Sequence, residues 1–168
     1  MGFKKTSELI AISFGITESA ANTFTQEEIA LQLDVLNNEI FVVLAADLNL
    51  LPPDAVAGVT TSTAGSITST SQTAIANLDA TNTIATSRDF IVMEAGAVTG
   101  SAFSRSATET YTGDLAYVAL IATNNFFIQI NGLNNLVAKA VTGRVWGYRA
   151  KADSSTYAAL VQSEVLSA

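Results

Sequence analysis

The chain has 168 residues, no cysteine and no histidine, and carries a formal charge of −7. The length suits one domain, and the absent residue types exclude disulfides, Cys/His zinc sites, haem held by His or Cys, Ser-His-Asp triads and Cys-His nucleophiles. Charged residues make up 14% of the chain and hydrophobic ones 49%, too apolar for disorder and too poor in charge for a typical free monomer.

The charge is unevenly placed. Residues 1–84 hold nine acids against Lys4 and Lys5, whereas residues 85–168 hold six acids and six bases. An acidic chain repels phosphate backbones over most of its surface, so nucleic acid is expected to be a weak partner or none. No apolar run reaches the length of a membrane span, so no membrane partner is expected. The N-terminus lacks the long apolar stretch of a signal peptide. Gly2 and Thr6 match the short M-G-x-x-x-[ST] acylation pattern, which carries little weight by itself. There is no N-glycosylation sequon.

The periodicity along the chain is mostly two. Residues 1–6 read as a flexible N-terminal arm, and Ser7–Ile16 alternates polar and apolar as a strand does. Ala20–Thr25 reads as a connection. The run TQEEIALQLDVL-NN-EIFVVLAADLNL then predicts a hairpin turning at Asn37-Asn38, since Asn tolerates the positive φ of a type I′ turn. In that register Val35 faces Ile40, Leu33 faces Val42, Leu31 faces Leu44 and Ile29 faces Ala46, all apolar. A helix over 26–36 competes, with Thr25-x-x-Glu28 as a capping box. The hairpin is preferred because the helix leaves Leu31 and Val35 off its apolar stripe.

Pro52-Pro53 ends this unit. Residues 57–88 are rich in Ser, Thr and Ala and read as one or two strands joined by loops, at a surface where small side chains allow close approach. Asp89–Val98 and Ala102–Tyr111 are further strands, and Gly113-Asp114 is a turn. Leu115–Thr123 is apolar on both faces and reads as a central strand. Phe126–Ile130 runs into Asn131-Gly132, a strong hairpin signal. Leu136–Ala150 is a long strand, with Gly143 and Gly147 at bulges or close contacts. Asp153-Ser154-Ser155 offers an N-cap for a helix over 154–166 with Tyr157, Leu160, Val161 and Val165 on one stripe. About eight antiparallel strands with little helix make an all-β sandwich or barrel.

Candidate chemistry is sparse. In the proposed hairpin Glu28 and Asp47 stand opposite with Glu27 adjacent, and paired carboxylates suit a Ca²⁺ site or glycoside cleavage. The blander reading is that they splay apart at a wet hairpin end, so no metal or cofactor is expected. No P-loop, G-x-G-x-x-G or EF-hand loop occurs, and no nucleophile–base pair can be assembled, so catalysis is not expected. Lys139, Arg144, Arg149 and Lys151 are half of the eight basic residues. On a strand Arg144, Trp146 and Tyr148 share one face. Arginine and aromatic residues are enriched at protein interfaces. Glu28, Asp34 and Asp47 on one copy are therefore expected to meet Lys139, Arg144, Trp146, Tyr148 and Arg149 on another.

The strand rhythm over 7–150, the turn at Asn37-Asn38, the last strand VTGRVWGYRAK and the terminal DSSTYAALVQSEVL together resemble the small single jelly-roll capsid proteins of non-enveloped viruses. The resemblance covers most of the chain and rests on architecture. It implies one jelly-roll domain over 1–168, symmetric self-assembly into a large homo-oligomeric shell, copies of itself and other virion proteins as partners, and a place in the virion. Such proteins often carry an Arg/Lys-rich N-terminal arm. Here only Lys4 and Lys5 stand there, which points to weak genome contact or to a minor component. The alternative is a β-sandwich module of a fibre or surface protein that binds carbohydrate or Ca²⁺.

Overall fold

The computed structural model describes residues 2–108 and 116–167. Ten strands are present: β1 (Phe3–Lys5), β2 (Ile10–Thr17), β3 (Thr25–Ala30), β4 (Glu39–Leu50), β5 (Thr61–Thr68), β6 (Thr83–Val92), β7 (Ser101–Thr108), β8 (Ala119–Ile121), β9 (Asn125–Leu133) and β10 (Ala140–Ala152). Helix α1 (Ser154–Ser167) closes the chain. One sheet runs β2-β10-β4-β8, with β1 beside β2 on the same edge of β10; the other runs β3-β9-β5-β6-β7.

The pairing is nested. Strand β2 pairs with β10, β3 with β9, β4 with β8 and β5 with β6, all antiparallel. Successive strands β2, β3, β4 and β5 alternate between the sheets, so the chain wraps as a folded ribbon of paired strands. That is a jelly roll, as expected, with β1 and β7 added at the edges.

The core lies between the sheets. Phe41, Val43, Ala46 and Val145 of the first sheet meet Ile67, Ile84, Ala85 and Phe126 of the second. Leu50 and Val141 meet Ile128 and Ile130 further along. Phe14 and Phe126 touch edge to face across the gap, with ring centroids 5.4 Å apart, a favoured aromatic geometry.

A third apolar cluster lies outside the sandwich. Ile40, Val42, Ala150 and Ala152 point away from the core and are covered by Tyr157, Leu160 and Val161 of α1. The helix begins as expected, with Asp153 Oδ1 accepting from the Thr156 amide at 2.8 Å. Its far end differs, because Val165 is exposed. Glu164 instead turns inward and accepts the Ala122 and Thr123 amides at 2.8 and 3.0 Å.

Several expectations are corrected. The Asn37-Asn38 hairpin does not form, and neither does the helix over 26–36. Strand β3 pairs with β9, while both edges of β4 are taken by β10 and β8. Residues 31–38 cross between sheets, with Leu31 and Leu33 plugging the end of the core. Asn124 satisfies their amides, through its carbonyl for Leu31 and its side chain for Leu33. Asn38 does take a positive φ of 56°, but as the cap of a one-turn 3-10 helix over Val35–Asn37. Physically, β4 is apolar on both faces, and a two-stranded hairpin can cover only one.

Asn131-Gly132 is not a turn either. Both residues continue β9, opposite Ala64 and Thr63. Glycine is needed there for proximity: a Cβ on Gly132 would stand 2.6 Å from Asn135 Nδ2 and 2.9 Å from Glu18 Oε1. The central strand expected over Leu115–Thr123 is, within the described residues from 116 on, a three-residue edge strand, β8, beside β4. The Gly113-Asp114 turn lies outside the described residues, as does the end of the strand expected over Ala102–Tyr111. The Asp89–Val98 strand is shifted to Thr83–Val92. The expected N-terminal arm is in part a strand, with Phe3, Lys4 and Lys5 paired to Ala152, Lys151 and Ala150. Gly147 is a close contact, as expected, because a Cβ there would strike the Val42 carbonyl. The bulge beside it belongs to β4, which carries one extra residue at Leu44.

The Ser/Thr-rich strand β5 is buried along its whole length. Its inner side adjoins the core through Gly65 and Ile67. Its outer side is covered by residues 69–82, which fold back as a strap. Ala76 donates to Ser66 Oγ at 3.3 Å and Gln72 to Gln26 Oε1 at 2.7 Å. Small side chains let this chain, rather than a neighbour, approach closely.

Candidate docking surfaces

Four connections meet at the end of the sandwich where β2, β4, β6 and β9 finish. Glu18, 4% exposed, is the anchor. Its carboxylate accepts the Thr23, Gly132 and Lys139 amides at 2.9, 2.9 and 2.8 Å. Asn22 and Asn135 exchange side-chain-to-backbone hydrogen bonds at 2.9 and 2.7 Å. Asn135 also donates to Ser62 O and accepts from the Asp54 amide, both at 2.9 Å. Asp54 in turn accepts the Leu136 amide at 2.8 Å and the Lys139 ammonium at 2.7 Å. The hydrogen bond from Lys139, helped by the Leu136 and Val137 amides and opposed by partial burial, holds the Asp54 carboxyl below its ordinary value.

On this polar scaffold sit exposed apolar side chains. Leu51, Leu133, Leu136, Val137 and Val98 all lie on connections or strand ends here, and Leu136 is 73% exposed. Apolar groups held outward on a hydrogen-bonded frame cannot collapse inward, which makes this end a candidate contact surface.

The structure redistributes the residues expected at an interface. Lys139 is 3% exposed and bound to Asp54 within the chain. Arg149 reaches to the opposite end of the sandwich, where it donates to Glu39 Oε1 at 2.6 Å and to the Leu31 and Gln32 carbonyls at 2.8 and 2.9 Å. Both cations hold connections in place within the chain. Tyr148 is half-buried against the cluster under α1, with Lys5 Nζ 5.2 Å from its ring centroid.

Arg144 and Trp146 stay on the outer face of the first sheet. The guanidinium carbon lies 5.8 Å from the indole centroid, and Nε donates to Ser13 Oγ at 2.9 Å. Arg144 is directly across from Asp47 in the ladder. With Asn49 and Thr142 these residues line an open groove of about 780 Å³.

Glu28 and Asp47 are not brought together. Glu28 is on β3 of the second sheet, where Asn125 Nδ2 donates to it at 2.8 Å, and Asp47 is on β4 of the first. Asp34 precedes the 3-10 turn and accepts from Asn37 Nδ2 at 2.5 Å. Among the described residues no three Asp or Glu gather as metal ligands, and no helix is long and apolar enough to cross a membrane.

Sequence reasoning missed Glu18, Asp54 as an acceptor, Glu164 and the pair Arg88–Arg105, directly opposite each other on β6 and β7. A lone carboxylate in a connection gives no periodic signal, because its partners are backbone amides from strands distant in sequence.

No protein-family model and no curated protein matches the chain. A solved structure from Desmodium yellow mottle tymovirus aligns over 88% of this chain and 91% of its own, at 11% identity and a TM-score of 0.30. A likeness at that level carries no argument about function, and the nested strand pairing carries the fold.

Proposed function

We propose that this protein is a structural subunit that works by self-association, as a capsid component of a virion, without catalysis. The observation that supports this reading most is the apolar rim of Leu51, Leu133, Leu136 and Val137 on the Glu18–Asp54–Lys139 scaffold. Exposing these groups to water costs free energy that contact with another copy recovers, about 25 cal/mol per Å² of apolar surface covered. Rigid loops keep the ordering cost of docking low. Copies of this chain, and other virion proteins, are the partners it predicts. Closed symmetry would make the same rim meet in every subunit.

The test is light scattering and electron microscopy of the purified chain, beside the double variant Leu136→Asp, Val137→Asp. Both side chains are exposed, so the variant is expected to keep its fold and lose its assemblies. A wild-type chain that stays monomeric at high concentration sinks the reading.

A second reading, a carbohydrate-binding module of a fibre or surface protein, draws on the Arg144–Trp146–Asp47 groove. An indole beside hydrogen-bonding groups suits a sugar face, and glycan-array binding abolished by Trp146→Ala would favour it.

A further inference from the structure

The outer face of the second sheet holds a feature that the rim does not use. In the ladder between β6 and β7, Arg88 stands directly opposite Arg105. Like charges placed so are mutually destabilising, and a fold keeps such a pair at a cost unless something compensates it. Among the described residues the ion pairs are Lys139–Asp54 and Arg149–Glu39, so neither Arg88 nor Arg105 has a carboxylate of this kind. Arg88 lies over the Phe90 ring, 5.8 Å from its centroid. The adjacent acid, Asp89, is engaged elsewhere, accepting from Ser104 Oγ at 2.8 Å. Both arginines line a groove of about 520 Å³, walled by Asn77 and Leu78 of the strap and by Ser106 of β7. Thr86 and Asn77 add hydrogen-bonding groups to the walls.

We infer that this groove receives a carboxylate-bearing segment of a second copy of the chain. The inference deepens the self-association reading and rests on it. Two guanidiniums can hold one carboxylate by paired, charge-assisted hydrogen bonds. The chain supplies the complement in excess, with fifteen acids against eight bases, and Lys139 and Arg149 are already neutralised internally. Glu27, Glu28, Asp34 and Asp47 are exposed and make no ion pair among the described residues. A nucleic acid fits less well. Two cations are few for a phosphate backbone, and the net charge of −7 opposes a polyanion.

The experiment is sedimentation velocity of the full chain over a range of concentration and salt. It compares wild type with Arg88→Glu/Arg105→Glu and Arg88→Lys/Arg105→Lys, with circular dichroism to check the fold. Arg105→Glu alone, on an exposed strand position, serves if the double reversal misfolds. Charge reversal is expected to weaken association by about tenfold or more at low salt, as for a lost interfacial charge pair. The gap should shrink by about 0.5 M salt through screening, and the lysine variant should fall between the two. Unchanged association of the reversed variant overturns this inference and leaves the self-association reading standing. A wild type that never associates overturns both. A reversed variant that associates normally but loses binding to a fluorescent single-stranded oligonucleotide makes the groove a phosphate site instead, and the carboxylate assignment fails.

Discussion

The two sheets are covered on their outer faces by opposite means. On the first, Ile40, Val42, Ala150 and Ala152 are apolar, and α1 lays Tyr157, Leu160 and Val161 over them. On the second, Ser66, Thr68 and Gln129 are polar and small or flexible, and the irregular strap over 69–82 covers them with hydrogen bonds. Gln129 accepts from Ser66 Oγ at 2.6 Å and donates to Thr68 Oγ1 and Gln26 Oε1 at 2.7 and 2.9 Å. An apolar face needs only a matching apolar stripe. A polar face, once dry, needs a partner for each donor and acceptor. The helix is therefore tolerant in detail and the strap is specific.

The largest expected effect tests a polar anchor of the helical cover. Glu164 is buried and accepts two amides at the start of the β8–β9 connection. Glu164→Ala leaves both amides without that acceptor, which should cost about 3 kcal/mol at roughly 1–3 kcal/mol per orphaned group. Thermal denaturation should show the loss, and limited proteolysis should release α1 before any strand. A variant of wild-type stability would mean that apolar contact alone holds the helix. Next in size is Gln129→Leu beneath the strap. The volume is nearly conserved, so packing survives, while Ser66, Thr68 and Gln26 each lose one partner and keep another. About 2 kcal/mol is expected, with amide exchange accelerating in the strap before the core. Equal exchange throughout would show that the network does not hold the strap.

The same contrast explains what could be read beforehand. Strand β10, found at Ala140–Ala152 where Leu136–Ala150 was expected, the Asp153 cap and the stripe of α1 as far as Val161 were legible because burial against an apolar surface leaves a period in the chain. Leu31, Leu33 and the apolar residues of β4 were legible too, yet their partners were misassigned. Alternation specifies which face is buried, not which strand covers it. The Ser/Thr tract was the least legible. Ser66 and Thr68 look like surface residues by composition, and only the distant Gln129 and Gln26 make them internal. The internal partners of Lys139 and Arg149, which were expected to face another copy, were illegible for a similar reason. A cation on a strand end meets carbonyls and carboxylates of connections that no local pattern announces. Arg144 and Trp146, in the middle of β10, stayed on the outer face where alternation put them.

The smallest expected effect separates the two covers by pH. The hydrogen-bonding side chains under the strap, Ser66, Thr68, Gln26 and Gln129, do not titrate at ordinary pH. Under the helix Tyr157 does. Burial raises its phenol above the ordinary value of 10.0, and the nearby Glu164 charge raises it further. Below pH 10 the phenol is neutral in the folded and unfolded chain alike, so its contribution is complete there. As pH rises from that ordinary value through the raised one, the unfolded chain ionises first and stability falls. Wild type should therefore lose more stability between about pH 9 and 11 than Tyr157→Phe, whose ring covers the same apolar patch without a titrating group. Denaturant midpoints measured for both chains across that range isolate this one phenol from the other tyrosines. Parallel curves would mean that the phenol is as wet in the folded chain as in the unfolded one, and the helical cover would then be looser than the packing of Tyr157 against the outer cluster of the first sheet requires.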